Sequence, residues 1–347
     1  MARYNIKDVA KACGVSISTV SHALNGSRYV KKETKEKIFS TASEMGYKAS
    51  TLAKGLRKKS LNTIAVFIPN IASQFFSQVL IGINKIANKN DFHIIIVNTF
   101  YDSDEETRLI ENLKNQYVDG AIFVSGLDNE RCIRELNNEK FPIVLVARKV
   151  GEDIPSVLIN NFEAAKSGVD YLASLGHRDI GYITFEFKER HTVSERFEGF
   201  KEGLLQNGLE YRQENVLIMK QYSIDEMGMT YKYAKKFFEN GSFPTAIMTV
   251  TDNVAAGIYN ILKEKGCKIP EDVSVLGFDN LLLSAFLDPP LTTIEQPKEQ
   301  MGEKAMEMML DIIKKRQAGK GNIINLESRL IKRKSASKYK NKQYKAK

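Results

Sequence analysis

At 347 residues, 43% hydrophobic and 27% charged, the chain is long enough for two or three domains with cores of their own, and its composition excludes fibrous, disordered and membrane classes. The net charge of +9 is unevenly spread: residues 1–60 carry 13 Lys/Arg against 4 Asp/Glu, residues 61–331 carry 30 against 38, and residues 332–347 carry 8 against none. A basic head on an acidic body is what phosphate neutralisation by one small domain produces, while the basic tail reads as a solvated, disordered end.

MARYNIKDVA lacks the apolar run of a signal peptide, and no stretch approaches the roughly 18 continuous apolar residues of a membrane helix, so a cytoplasmic protein is expected. Cys13, Cys132 and Cys267 are far apart and without CxxC spacing, which suggests buried small hydrophobes, neither a disulfide framework nor a zinc site. His22, His93, His177 and His191 form no ligand cluster, and no cofactor is called for.

Asn5 is placed to cap a first helix whose apolar residues Ile6, Val9, Ala10 and Cys13 fall on one face of a 3.6-residue period. Gly14 permits a sharp turn, Val15 plugs the gap, and Ser16 offers its hydroxyl to cap a second helix. There Val20 and Leu24 can bury, leaving Ile17, Ser18, Thr19, Ser21, His22 and Asn25 on exposed or half-exposed faces. Short hydrogen-bonding groups without negative charge suit close approach to a phosphate backbone and to base edges in a major groove. The plain alternative is a helical hairpin with a polar surface. A third helix from about Lys32 to Met45, with Ile38, Ala42 and Met45 inward and Gly46 as its stop, completes a small all-α domain over residues 1–48. Residues 49–60 are a short basic linker with helix potential.

From Leu61 the texture changes to buried strands alternating with amphipathic helices: NTIAVFIP, FHIIIVNT, VDGAIFVSG and FPIVLVA, then a second unit from about Asn161 with strands VLIN, IGYITF, NVLIMK, TAIMTV and VSVLGF. Near-continuous Val/Ile runs separated by helices indicate doubly wound parallel sheets. Two such lobes are expected to hold a ligand where the carboxyl ends of their strands face one another.

The segment IKDVAKACGVSISTVSHALNG resembles the DNA-binding headpiece of LacI/GalR-family bacterial transcription repressors, through its I-x-D-V-A, G-V-S and T-V-S-x-x-L-N elements, and the likeness continues through Val30, Glu33, Thr34, Met45, Gly46 and Tyr47. LASLGHRDIGYI, ERFEGF, PTAIMTVTDNVAAG, IPEDVSVLGFDN and DPPLTTIEQP resemble the core these repressors share with periplasmic sugar-binding proteins. The resemblance implies a helix-turn-helix head followed by a periplasmic-binding-protein-like effector-binding and dimerisation core over residues 61–335. Lobe 1 would be about 61–160 plus 291–325 and lobe 2 about 161–290, with a disordered tail at 336–347. It further implies a homodimer on a pseudo-palindromic double-stranded operator and a small-molecule effector, a sugar, sugar phosphate or similar. A linker helix would form on DNA and drive Leu56 between base steps; as the alternative, Leu56 packs on the core.

The resemblance also places Phe75 and Phe76 at the cleft mouth, where the other reading is two core phenylalanines, and makes Arg196 and Asp279 effector contacts. Asp252 either holds its own loop or a lobe–lobe contact, or touches ligand, and Arg190, Thr192 and Tyr222 fall where the purine-repressor subgroup has pocket residues. Departures are Gln74 for the usual Pro, Ala147 where many sugar-responsive members carry Asp, and Asn160 for Asp. Loss of the carboxylate at Ala147 puts a simple hexose in doubt. Arg148 either points into the cleft and favours an anionic effector such as a sugar phosphate, or pairs with a surface acid. No GxGxxG, GxxxxGK[ST] or GxSxG element and no metal-spaced His set is present, so an enzyme is not expected. The expected function is an effector-controlled DNA-binding repressor, and its alternative is a stand-alone cytoplasmic sugar- or purine-binding protein.

Overall fold

The computed structural model describes residues 4–25, 28–47, 61–113, 118–125, 130–186, 191–220, 225–315 and 321–340. It divides into a helical unit up to Asn62 and an α/β unit from Thr63.

In the first unit Asn5 caps the Ile6–Cys13 helix. Its side chain accepts from the Lys7 and Asp8 N–H groups, and the Asp8 carboxylate accepts from Asn5 N at 2.8 Å, so donors that the helix itself leaves over are satisfied reciprocally. Gly14 takes φ 67°, and its own N–H and that of Val15 close the helix on Ala10 and Lys11. The helices Ile17–Asn25 and Lys32–Glu44 then bury Val20, Ala23, Ile38 and Ala42 against Val9, Ala10 and Cys13.

The second unit holds two six-stranded sheets. The first contains β1 (Thr63–Ile68), β2 (His93–Asn98), β3 (Gly120–Val124), β4 (Ile143–Val146), β5 (Ser156–Ile159) and β11 (Ile323–Leu326), ordered β11-β5-β4-β3-β1-β2 and parallel throughout. The second contains β6 (Ile180–Phe185), β7 (Val216–Met219), β8 (Ala246–Thr249), β9 (Ser274–Asp279), β10 (Thr292–Glu295) and β12 (Arg329–Ile331). Its order is β12-β10-β9-β8-β6-β7, antiparallel only at β12. In each sheet the winding reverses once, between β1 and β3 and between β6 and β8, and the crevice at such a reversal is where open α/β sheets bind ligands.

Three expectations are corrected. VLIN, read as a strand of the second unit although it falls within the 61–160 expected for lobe 1, joins the first sheet as β5, through Ser156, Val157, Leu158 and Ile159 beside β11. The chain re-enters lobe 1 after Glu295, not after Pro290, because Thr292–Glu295 pairs in parallel with β9 of lobe 2. Crossings after Ile159, Glu295 and Leu326 therefore join the lobes. Residues 336–340 of the expected disordered tail are docked on lobe 2: Ala336 is buried, Ser337 N donates to Ser274 Oγ, Tyr339 N donates to Leu175 O, and the Tyr339 ring stands 5.7 Å from that of His177.

Close helix packing fixes lobe 1. A Cβ built on Gly82 would lie 2.0 Å from Glu299 O, and one on Gly302 would lie 2.0 Å from Val79 O, so the Gln74–Lys89 and Lys298–Lys315 helices touch backbone to backbone.

Candidate functional site

In the helical unit the second helix carries the expected polar groups at its start. Ser16 Oγ accepts from Thr19 N at 3.1 Å, which makes it the cap of the Ile17–Asn25 helix, and it lies 2.7 Å from Ser18 Oγ and 2.8 Å from Thr19 Oγ1. Ser16, Ile17 and Ser18 are exposed, Thr19 and His22 half-exposed. Ser21, expected at the surface, is buried with 5% exposure. It directly follows Val20 and precedes Leu24 by three, so it sits on the flank of the buried stripe, and its small side chain fits where a longer polar one would not. Asn25 ends the helix, and Leu56 lies outside the described residues.

In the α/β unit a cavity of about 570 Å³ opens between the lobes, walled by the carboxyl ends of the strands at both winding reversals: Ser73 and Phe75 beyond β1, Ser125 beyond β3, Phe185 at the end of β6 and Val250 beyond β8. Of the expected residues, Phe75, Phe76, Arg148, Thr192, Arg196 and Asp279 line it. Phe76 is at the same time a core residue with 5% exposure, its ring edge-on to half-buried Phe75 at 5.3 Å. Arg190 and Tyr222 lie outside the described residues.

Arg196 and Asp279 form the buried floor. Arg196 Nε donates to Asn161 Oδ1 at 2.9 Å, Nη1 donates to Val250 O at 2.8 Å and stands 3.8 Å from Asp279 Oδ1, and the guanidinium lies 3.7 Å over the Phe278 ring. Asp279 sits at φ 112° and accepts from Gln296 Nε2 at 2.6 Å. Burial pushes its carboxyl above the usual range, while Arg196, Lys298 and Gln296 pull it back. Lys298, itself buried, comes from the start of a lobe 1 helix and donates to the carbonyls of Asp279, Asn280 and Gln296. It clamps the strained end of β9, where Asn280 also has positive φ, from the other side of a crossing.

Asp252 is corrected from effector candidate to scaffold. It is fully buried, does not line the cavity, and accepts from Leu281 N at 2.7 Å, Ser284 Oγ at 2.5 Å and Thr293 Oγ1 at 2.6 Å. Burial and neighbouring Asp279 push its carboxyl up to about 7, against the pull of those three donors.

Sequence reasoning passed over Tyr101, Phe162, Glu195 and Gln296, which also line the cavity. Gln296 stands within the IEQP block, and its Oε1 is a buried acceptor without a hydrogen-bond partner among the described residues. Gln74, noted only as a departure, accepts from Leu282 N at 2.8 Å and so bridges the lobes.

Residues 5–50 match the model for bacterial regulatory proteins of the lacI family, and residues 61–334 match that for periplasmic binding proteins and the sugar-binding domain of the LacI family. The chain belongs to the LacI family. It is a DNA-binding transcriptional repressor of that type with an effector-binding core, and the stand-alone binding protein finds no support. This LacI-family regulator is 32% identical to catabolite control protein A of Priestia megaterium, over 95% of this chain and 98% of that one. A LacI-family regulator from Enterococcus faecium with bound ribose superposes with TM-score 0.69 at 27% identity, over 80% of this chain and 100% of its own. The lac repressor dimer bound to operator and an anti-inducer shares the fold at TM-score 0.83 and 24% identity, over 97% and 100%. No helix among the regulator's described residues is long and apolar enough to cross a membrane.

Proposed function

We propose that this regulator works in the cytoplasm as a homodimer whose two heads read a pseudo-palindromic operator, and that a small molecule held between its lobes sets the affinity. The observation that carries the reading is the cavity at both winding reversals, floored by Arg196 and Asp279 and walled by aromatic faces from both lobes. An Arg fork, a carboxylate and Gln296 Oε1, unpartnered among the described residues, suit a hydroxylated ring that both donates and accepts, stacked on Phe75. Ribose in the Enterococcus faecium relative is in keeping with that class. Ser16, Ile17, Ser18, Thr19, His22 and Asn25 are the proposed DNA contacts, and Leu56 the proposed wedge. One such helix reads only a few base pairs, so specificity calls for two copies.

The second copy has a place to dock. β2 is the edge strand of the first sheet, and Ile95 and Ile96 on it, with Ile71 and Phe100 beside its end, are all more than 40% exposed. An unpaired apolar edge of this kind is normally covered. That its relatives are regulators supports a protein that acts by binding.

Anisotropy titrations of the full chain against a selected operator and random duplex, with His22→Ala beside the wild type, test this reading. Specific binding should fall steeply with salt, and His22→Ala should lose about tenfold on operator while barely changing on random DNA, as expected for a base-edge contact worth about 1–3 kcal/mol. Equal losses on both duplexes would remove His22 from sequence reading.

A further inference from the structure

Arg148 follows β4 and lines the cavity, where a guanidinium with its other side open would draw a phosphate or carboxylate. That other side is closed. Nη1 donates to Glu106 Oε1 at 2.8 Å and reaches Ser125 O at 3.5 Å, and the two charged side chains are only 8% and 4% exposed. Glu106 is absent from the cavity wall. It stands in the first turn of the Ser103–Leu113 helix and meets Arg148 from behind. A carboxylate this buried is tolerated because an opposite charge is in contact with it, and breaking the pair would strand it.

The other cations of the wall are also engaged: Lys149 Nζ with Glu152 Oε1 at 2.5 Å, and Arg196 with Asp279, Asn161 and Val250. Among the described residues the wall carries Glu130, Glu195, Glu198, Glu226 and Asp279 against Arg148, Lys149 and Arg196. Among the described residues, an anion entering this cleft meets cations that are already paired and more carboxylates than cations.

We propose that Glu106 is the residue that closes this cleft to anionic effectors: by neutralising Arg148 from behind, it leaves a wall that accepts an uncharged hydroxylated ring and rejects the phosphate ester of the same ring. The proposal rests on the effector reading of the cleft and narrows it. Sugar phosphates, one of the classes the sequence allows, are excluded. A phosphate reaching Arg148 must either compete with Glu106 for the guanidinium and leave that carboxylate stranded, or go unmatched itself. Glu106→Gln keeps the shape of the side chain and removes its charge, which frees the guanidinium's attraction for an incoming oxyanion.

Calorimetry on the full chain at low salt, with inorganic phosphate, ribose 5-phosphate, ribose and cellobiose as probes, tests this. The wild type should bind neither phosphate probe. Glu106→Gln should gain at least about tenfold in affinity for both, the gain should shrink with added salt, and Glu106→Gln/Arg148→Met should lose it. A merely structural part for Glu106 would lower binding of every probe and create none. Should Glu106→Gln fail to fold, Glu106→Asp, which draws the carboxylate back by one methylene, should show the same gain at smaller size. Equal phosphate affinity in wild type and variant, or wild-type binding of ribose 5-phosphate that Arg148→Met removes, overturns the proposal. If the variant gains phosphate binding at Arg148 while neither protein responds to ribose or cellobiose, the choice of probe sugar is wrong and the role of Glu106 stands.

Discussion

Replacing Arg196 by Met tests the cleft floor most directly, because a side chain of similar length and apolar stem replaces it while the charge, the donors and the guanidinium's contact with the Phe278 ring are lost. In the folded core Arg196 is the strongest influence holding down the carboxyl of Asp279, which is itself only 6% exposed. Removing one partner of a buried pair costs about 3–5 kcal/mol, since the other charge stays desolvated and unmatched. The loss of hydrogen bonds to Asn161 and Val250 lies within that figure. Asp279 has a folded-state pKa above its unfolded value. The stability it contributes is therefore present below the ordinary carboxylate range and is lost as pH rises through the folded value. Without Arg196 that folded value climbs further, so the deficit of Arg196→Met relative to wild type should be larger at pH 8 than at pH 5. Urea unfolding at the two pH values, read by fluorescence and circular dichroism, measures it. Adding Asp279→Asn removes the stranded charge and should return about 2 kcal/mol at pH 8, a coupling that a double-mutant cycle isolates. A deficit under about 1 kcal/mol, or a double variant no more stable than Arg196→Met, would show that the floor is not held by this charge pair.

Two further predictions follow from packing and from the docked tail. Gly302→Ala should destabilise the core by about 2 kcal/mol in urea, because the added Cβ meets Val79 O, even though helix propensity alone would favour Ala by about 1 kcal/mol; a gain in stability would refute the close contact. His177 donates from Nε2 to Ser337 O, and its burial lowers the ring's pKa below the ordinary 6.5. A depressed histidine contributes stability that is complete above the unfolded value and lost as pH falls below it, so the wild type should lose stability below pH 6.5 in part through this ring. Ending the chain at Ser335 should expose the ring and flatten that loss. A ring resonance that titrates with the same midpoint in both proteins would mean the tail does not cover it.

Much of this regulator is local in origin and therefore legible from the chain. The capping box at Asn5 and Asp8, the left-handed Gly14 and the 3.6-residue period through Val9 and Cys13 specify the first helices by contacts within a few residues. The apolar runs that became β1, β3 and β9 are likewise continuous enough to name as buried strands. Arg196 and Asp279 lay within motifs, so their place at the cleft floor was anticipated by resemblance. What the chain left open depends on partners far along it. A buried run such as SVLI satisfies either sheet equally, and only the neighbour it finds, Ile323–Leu326, puts it in the first. TTIE crosses no boundary by composition and joins lobe 2 because β9 is there to receive it. The tail KRKSASKYK reads as solvated charge, yet Ala336, Ser337 and Tyr339 dock because Ser274, Leu175 and His177 present matching groups. Asp252 and Arg148 carry the same lesson for the site. Their residue types suited ligand contact, but Ser284, Thr293 and the Leu281 amide enclose the first, and Glu106, 42 residues away, neutralises the second. A charge's meaning is set by what desolvates and pairs it, and that is decided in the folded state.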